Sequence, residues 1–238
     1  MAGLLALVGG VEFTAGNEQQ DRELAAAAAG GIAFVVPTAA ARQRPDLAVE
    51  HASSWFRGLG VELHELRVLT RTDAGSEQLA AEAAKGRLFY LVGGDPGHVA
   101  QTLRGSRVWE AILSAWQAGA ALAGSSAGAM ALGEWTLIRA RWPDHVTRAY
   151  REALGLVPDL TVLPHFEKFG QKWVESATAA APRPHVTLLG IDERSAALWD
   201  AGGWRAAGPG RITVIRDGQT RDFQAGSAVA GLPEPRVA

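Results

Sequence analysis

Ser126 stands in Gly124-Ser125-Ser126-Ala127-Gly128, with a glycine two residues away on either side. A serine hydroxyl is a weak nucleophile. It attacks a carbonyl only when a sharp turn lifts it clear of the backbone and a neighbouring base takes its proton. Gly124, Ala127, Gly128 and Ala129 are small enough for such a crowded strand-to-helix turn. GxSxG alone recurs by chance in a chain with 28 glycines, so its setting decides its meaning. Here residues 120–123 read as a buried strand before the motif and residues 127–132 as a helix after it. Ser126 is the candidate nucleophile, and Ser125, which lacks the flanking glycines, is a structural neighbour.

A base and an orienting acid must come from elsewhere. Histidines occur at 51, 64, 98, 145, 165 and 185, and a lone histidine is more often structural than catalytic. Only His165, in Leu163-Pro164-His165-Phe166-Glu167, stands just past a convincing core strand. In doubly wound sheets that is where ligands collect. A neutral imidazole there accepts the serine proton and returns it to the leaving group; His98 is the second choice, as a substrate contact. Another apolar run, 188–191, ends in Asp192-Glu193. Strand alternation turns these two acids in opposite directions, so one of them at most faces the histidine, with Glu193 the first choice and Asp144 and Glu134 as rivals. The glycine loop Gly93-Gly94-Asp95-Pro96-Gly97 follows the apolar run 88–92. Its backbone amides, with that of Ala127, suit an oxyanion hole.

The elements that must position these groups are short apolar runs at 4–8, 32–36, 61–68, 88–92, 120–123 and 160–163, bounded by Gly, Pro or Asp. Near-continuous apolarity marks strands covered on both faces, as in a parallel sheet. Between them lie helical patterns. In 45–59, Ala48, Ala52, Trp55, Phe56 and Leu59 share one face, and 76–85 opens on a serine cap with Gly86 as its stop. The alanines at 25–29 read as a helix packed by small side chains. This alternation up to about residue 182 predicts right-handed βαβ units, an α/β fold with a doubly wound, mostly parallel sheet and helices on both faces. From residue 187 the pattern changes to short antiparallel hairpins, one around 200–203 and one turning at Asp217-Gly218. Residues 231–238 read as a loose tail on what is expected to be a single domain.

The 238 residues, 47% of them hydrophobic, are enough to bury a sizeable core. A net charge of −2 without a basic cluster argues against nucleic-acid or membrane-surface binding and fits a small polar substrate. The absence of cysteine excludes disulfides, thiolate metal sites and a cysteine nucleophile. The opening residues have no basic leader and no run reaches membrane-spanning length, so a cytoplasmic location is expected. The order Ser, His, Glu differs from the Ser, Asp/Glu, His order of α/β-hydrolases, which counts against a lipase or esterase.

Taken together, Gly93-Gly94-Asp95, the Gly124–Ala129 elbow, Pro164-His165-Phe166 and Gly190-Ile191-Asp192-Glu193 resemble the dipeptidase E and cyanophycinase family of serine peptidases. The ordered match spans roughly residues 4 to 216. The resemblance implies a class I glutamine-amidotransferase-like fold in which serine replaces the usual cysteine. It implies Ser126 as nucleophile, His165 as base, Glu193 as orienting acid and Gly94 with Ala127 around the oxyanion, with no metal or cofactor. Relatives act on peptides carrying aspartate, either dipeptides with N-terminal aspartate or β-aspartyl links. Asp95-Pro96 departs from the asparagine-containing sequence usual in relatives and puts an acid beside the pocket. An aspartyl substrate requires a cationic partner, for which Lys168, Lys172, Arg139, Arg141 and Arg194 are candidates.

Overall fold

The computed structural model describes every residue of the chain except 29, 141, 142, 145 and 238. Ala29, Arg141 and His145, named above, therefore lie outside the described residues. The strands are β1 (Leu5–Val8), β2 (Ile32–Val36), β3 (Leu63–Glu65), β4 (Gly86–Leu91), β5 (Ala121–Ser125), β6 (Gly133–Arg139), β7 (Arg148–Glu152), β8 (Val157–Pro164), β9 (Thr187–Ile191), β10 (Ala196–Asp200), β11 (Gly203–Ala207), β12 (Ile212–Arg216) and β13 (Gln219–Phe223).

They form two sheets. The first has the order β11-β10-β1-β5-β4-β2-β3, and its strands β1 to β5 are mutually parallel, with the β10–β11 hairpin antiparallel at one edge. One face of this sheet is covered by the helices Glu18–Ala27 and Pro45–Gly58. The other is covered by Pro96–Leu103, Arg107–Gln117 and Ala127–Leu132. Two-sided burial explains why β1, β2, β4 and β5 read as unbroken apolar runs. Ala52 and Phe56 are buried beneath Pro45–Gly58, with Ala48, Trp55 and Leu59 packed beside them, as the helical spacing requires. Ser76 caps Glu77–Ala83 by accepting the Leu79 N–H at 3.3 Å. Gly86, expected as that helix's stop, instead opens β4.

The second sheet, β13-β12-β9-β8-β6-β7, has a parallel centre (β6, β8, β9) and antiparallel edges. The sequence pattern predicts one wound sheet followed by hairpins. The chain divides because helix Ala127–Leu132, all six residues of which are buried, runs straight into β6 without returning to the first sheet. The helix packs against β5 on one side and β6 and β8 on the other, joining both sheets in one core. Both hairpin turns fall where read, with Asp217 and Gly218 at φ +51° and +74°. Residues 231–237, expected as a loose tail, are instead tied down: Trp204 Nε1 donates to the Pro233 carbonyl at 2.9 Å, Trp199 Nε1 to Glu234, and the Arg236 amide to the Leu156 carbonyl at 2.8 Å. Among the described residues no helix is long and apolar enough to cross a membrane.

Candidate active site

The carboxyl ends of β1, β4 and β5 from one sheet meet those of β8 and β9 from the other. Ser126 follows β5 directly. Its backbone sits at φ +48°, ψ −110°, a sparsely populated conformation for a residue with a side chain, worth about 1–3 kcal/mol of strain. The surroundings impose it. The Ser126 amide donates to the Val8 carbonyl at 2.9 Å, and the Met130 amide closes the first helical turn on the Ser126 carbonyl. A Cβ on Gly124 would lie 2.6 Å from the Gly128 carbonyl carbon, so the glycines flanking Ser126 allow strand and helix to touch.

His165 stands one residue past β8 and carries the same unusual φ, +48°. Its amide donates to the Gly9 carbonyl at 2.8 Å, so the loop after β1 pins it from the other sheet. The ring lies between Phe169, stacked at 4.8 Å between centroids, and Gly10, where a Cβ would approach its Cε1 to 2.3 Å. His165 Nε2 is 3.1 Å from Ser126 Oγ and its Nδ1 is 2.9 Å from Glu193 Oε1. With Nδ1–H donating to the carboxylate, Nε2 is the acceptor for the serine hydroxyl. Histidine and glutamate side chains are each 17% exposed, a setting where such a pair is stronger than on an open surface.

The other acids are engaged elsewhere. Asp192 turns away, accepting the Arg211 amide at 2.9 Å; β9 ends at Ile191, so it is the turn after the strand, rather than strand alternation, that separates it from Glu193. Glu134 accepts from the Asp159 amide at 2.7 Å and pairs with Arg183 at 2.5 Å. Asp144 accepts the Val146 and Thr147 amides. His98 Nε2 lies 2.8 Å from the Leu69 carbonyl, and its residue lines the cavity beside Ser126 rather than approaching the serine.

That cavity, about 520 Å³, is floored by Ser126, Ala127 and Gly94 and walled by Phe169 and Trp173. Among the described residues Arg42, Arg139, Arg148 and Arg151 line it. Of the cations named from sequence, Arg139 is there, Lys168, Lys172 and Arg194 are not, and Arg141 lies outside the described residues. Arg139 and Arg148 face each other directly across the β6–β7 ladder, an arrangement of like charges that costs stability on its own. Burial, and then Arg139, push the Arg148 guanidinium below its usual value, with Asp144 opposing. Arg148 also lies over the Trp173 ring at 3.9 Å, which holds its charge against the wall. Among the described lining residues Asp95 is the one acid, and its carboxylate is engaged as the cap of Pro96–Leu103, accepting the His98 amide at 3.0 Å.

Arg42, Arg148 and Arg151 were not legible as site residues, because strand pairing and the approach of separate loops bring them together. Glu12 was missed as well, although its place in a Gly-Gly loop after a strand is a signal. Its Oε1 accepts the Gly93 amide at 2.8 Å and its Oε2 the Ser125 hydroxyl at 2.9 Å.

A serine on a strained strand-to-helix bend, touched by a carboxylate-held imidazole in an α/β scaffold, defines the class of serine hydrolases. More specifically, residues 4–205 match the model of Peptidase family S51, and the chain belongs to that family. It is a serine-type peptidase. It is 27% identical to the cyanophycinase of Synechococcus elongatus over 219 residues, 90% of this chain and 68% of that protein. To the cyanophycinase of Trichormus variabilis it is 25% identical over 217 residues, 88% of this chain and 72% of that one. Among solved structures, a peptidase from an acI-B1 Actinobacterium superposes with a TM-score of 0.83 at 30% identity, covering 96% of this chain and 97% of that one. A putative Peptidase E protein from Listeria monocytogenes shares the fold, with a TM-score of 0.60 at 19% identity over 95% of this chain and all of that one.

Proposed function

We propose that Ser126, His165 and Glu193 are the catalytic triad of an exopeptidase for short aspartyl peptides, with the Gly94 and Ala127 amides as oxyanion donors. Ser126 Oγ attacks the scissile carbonyl and passes its proton to His165 Nε2, while Glu193 holds Nδ1–H and stabilises the imidazolium. The carbonyl oxygen, now anionic, accepts from the two amides; neither has a hydrogen-bond acceptor among the described residues. Collapse of the adduct expels the amine, which takes the proton from His165, and leaves an acyl-enzyme on Ser126. Water, deprotonated by the same imidazole, releases the acid.

The observation that carries this reading is the 3.1 Å contact between Ser126 and His165 at the floor of an arginine-lined cavity. The guanidinium groups of Arg42, Arg139, Arg148 and Arg151 in the lining favour a substrate with its own carboxylate beside the scissile bond, because Arg–carboxylate pairs are strong and directional. A β-aspartyl substrate is the second reading, favoured by the similarity to cyanophycinases. Hydrolysis of Asp-Xaa, Asn-Xaa and β-Asp-Arg peptides by the wild type and by Ser126→Ala tests both. Asp-Xaa is expected to be cleaved at least about 100-fold better than Asn-Xaa, a discrimination typical of a site built around a charged partner, and Ser126→Ala to lose turnover by about 10³-fold or more. Cleavage of β-Asp-Arg alone would overturn the preferred substrate, and an active Ser126→Ala the mechanism.

A further inference from the structure

We propose that Glu12 is a positioning residue that sets the oxyanion donors of the Ser126 site by tying the glycine loop after β4 to the end of β5. The inference rests on the catalytic reading of Ser126. Glu12 comes from a third element, the loop after β1, and each carboxylate oxygen takes one partner: the Gly93 amide at 2.8 Å and the Ser125 hydroxyl at 2.9 Å.

The loop needs such a tie. Gly93-Gly94 is the most conformationally free dipeptide a chain can contain, and an oxyanion donor works only if it is held in place before the reaction begins. The loop is fixed on both sides of the working amide. Gly93 N–H goes to Glu12, and Asp95 N–H goes to the Ala39 carbonyl at 2.8 Å. The amide between them, Gly94 N–H, has no acceptor among the described residues. On the other arm, Ser125 is completely buried and directly precedes the nucleophile. One carboxylate thus sets the distance between the two halves of the oxyanion hole, Gly94 and Ala127. Both bonds are charge-assisted, so they resist the loop's freedom more than neutral ones would. Glu12 also sits near enough to Asp21 and Tyr90 to contribute to the rise in both their pKa values, behind burial in each case.

The test is labelling of the purified full-length protein at Ser126 by a fluorophosphonate, whose P–O group uses the same donors whatever peptide the enzyme prefers. The maximal labelling rate and the half-saturating probe concentration are read separately. Glu12→Ala is expected to lower the maximal rate about 10- to 100-fold with half-saturation unchanged, since a misaligned donor costs less than a deleted one. Glu12→Gln keeps a carbonyl oxygen for Gly93 N–H and an amide for Ser125, and should label within about threefold of wild type. Ser125→Ala, which removes one arm by deleting a single hydroxyl, should lose about 3- to 10-fold. If Glu12→Ala does not fold, Ser125→Ala decides in the same way. Wild-type labelling rates in Glu12→Ala or Ser125→Ala overturn the proposal, as does a loss expressed only in half-saturation or a Glu12→Gln as slow as Glu12→Ala. A wild type that is not labelled at Ser126 sinks the catalytic reading and this inference with it, a result distinct from the others.

Discussion

Gly10→Ala tests whether the imidazole's position is set by the other sheet. Gly10 is at φ +109°, in the loop after β1, and an added Cβ would lie 2.3 Å from His165 Cε1 and 2.4 Å from Nε2. Ordinary van der Waals contact begins near 3.4 Å, so ring and methyl must separate by roughly 1 Å (3.4 − 2.3). The ring has nowhere to go without cost, because Phe169 stacks on it and the His165 amide is bonded to Gly9. Moving the ring by that amount, across its own face and away from Gly10, carries Nε2 out of line with Ser126 Oγ, now 3.1 Å away, and a misplacement of about 1 Å can cost about 10²-fold in rate. Loss of positioned base catalysis costs about 10²–10⁴ in rate. The positive φ adds about 1–3 kcal/mol of destabilisation. Expected, then, is a fall in kcat of about 100-fold or more with little change in KM, in a protein that still unfolds cooperatively at a lower midpoint. Steady-state kinetics on the best Asp-Xaa substrate, with thermal unfolding by circular dichroism, reads both. Turnover within about fivefold of wild type would refute the idea that the β1 loop fixes the base, since the predicted displacement alone exceeds that effect.

Two further substitutions probe the site and the core behind it. Glu193→Gln keeps the shape of the partner but removes the charge that stabilises the imidazolium, so kcat should fall about 10²-fold or more with KM little changed; a variant equal to wild type would remove Glu193 from the mechanism. Asp21 is buried against Trp55, and burial first, then the charges of Glu12 and Glu18, push its carboxyl up to about 7 despite the Trp55 hydrogen bond at 2.8 Å. The folded protein therefore holds a proton that the unfolded chain has lost, and stability declines as pH rises from about 4 to about 7 and then levels off. A rise of about three units from 3.8 corresponds to a decline on the order of 4 kcal/mol. Asp21→Asn should lack this decline, so the gap in unfolding midpoint between variant and wild type should widen by several degrees between pH 4.5 and pH 8; parallel midpoints across that range would exclude it.

Features carried by a few adjacent residues were readable from the chain alone. The elbow is one, because Gly124 and Gly128 meet each other across Ser126 and the motif encodes its own contact. The placement of His165 and Glu193 is another, since each lies within two residues of the end of an apolar strand, although the turn after β9 and not strand alternation is what parts Glu193 from Asp192. The Asp217-Gly218 turn and the buried parallel strands follow from equally local physics, in backbone preference and two-sided burial. Tertiary structure decided what depends on pairing between distant segments. β7, Arg-Ala-Tyr-Arg-Glu, has too little apolar character to announce itself, yet its register with β6 puts Arg148 opposite Arg139 and helps make the cavity cationic. Glu12 acquires its role only when three strand ends converge, and the tail is held by Trp199 and Trp204 from a hairpin some thirty residues earlier. Local sequence sets which way a side chain can point and how tightly a turn can close. Which charges come to share a pocket is settled by how two sheets pack around one buried helix.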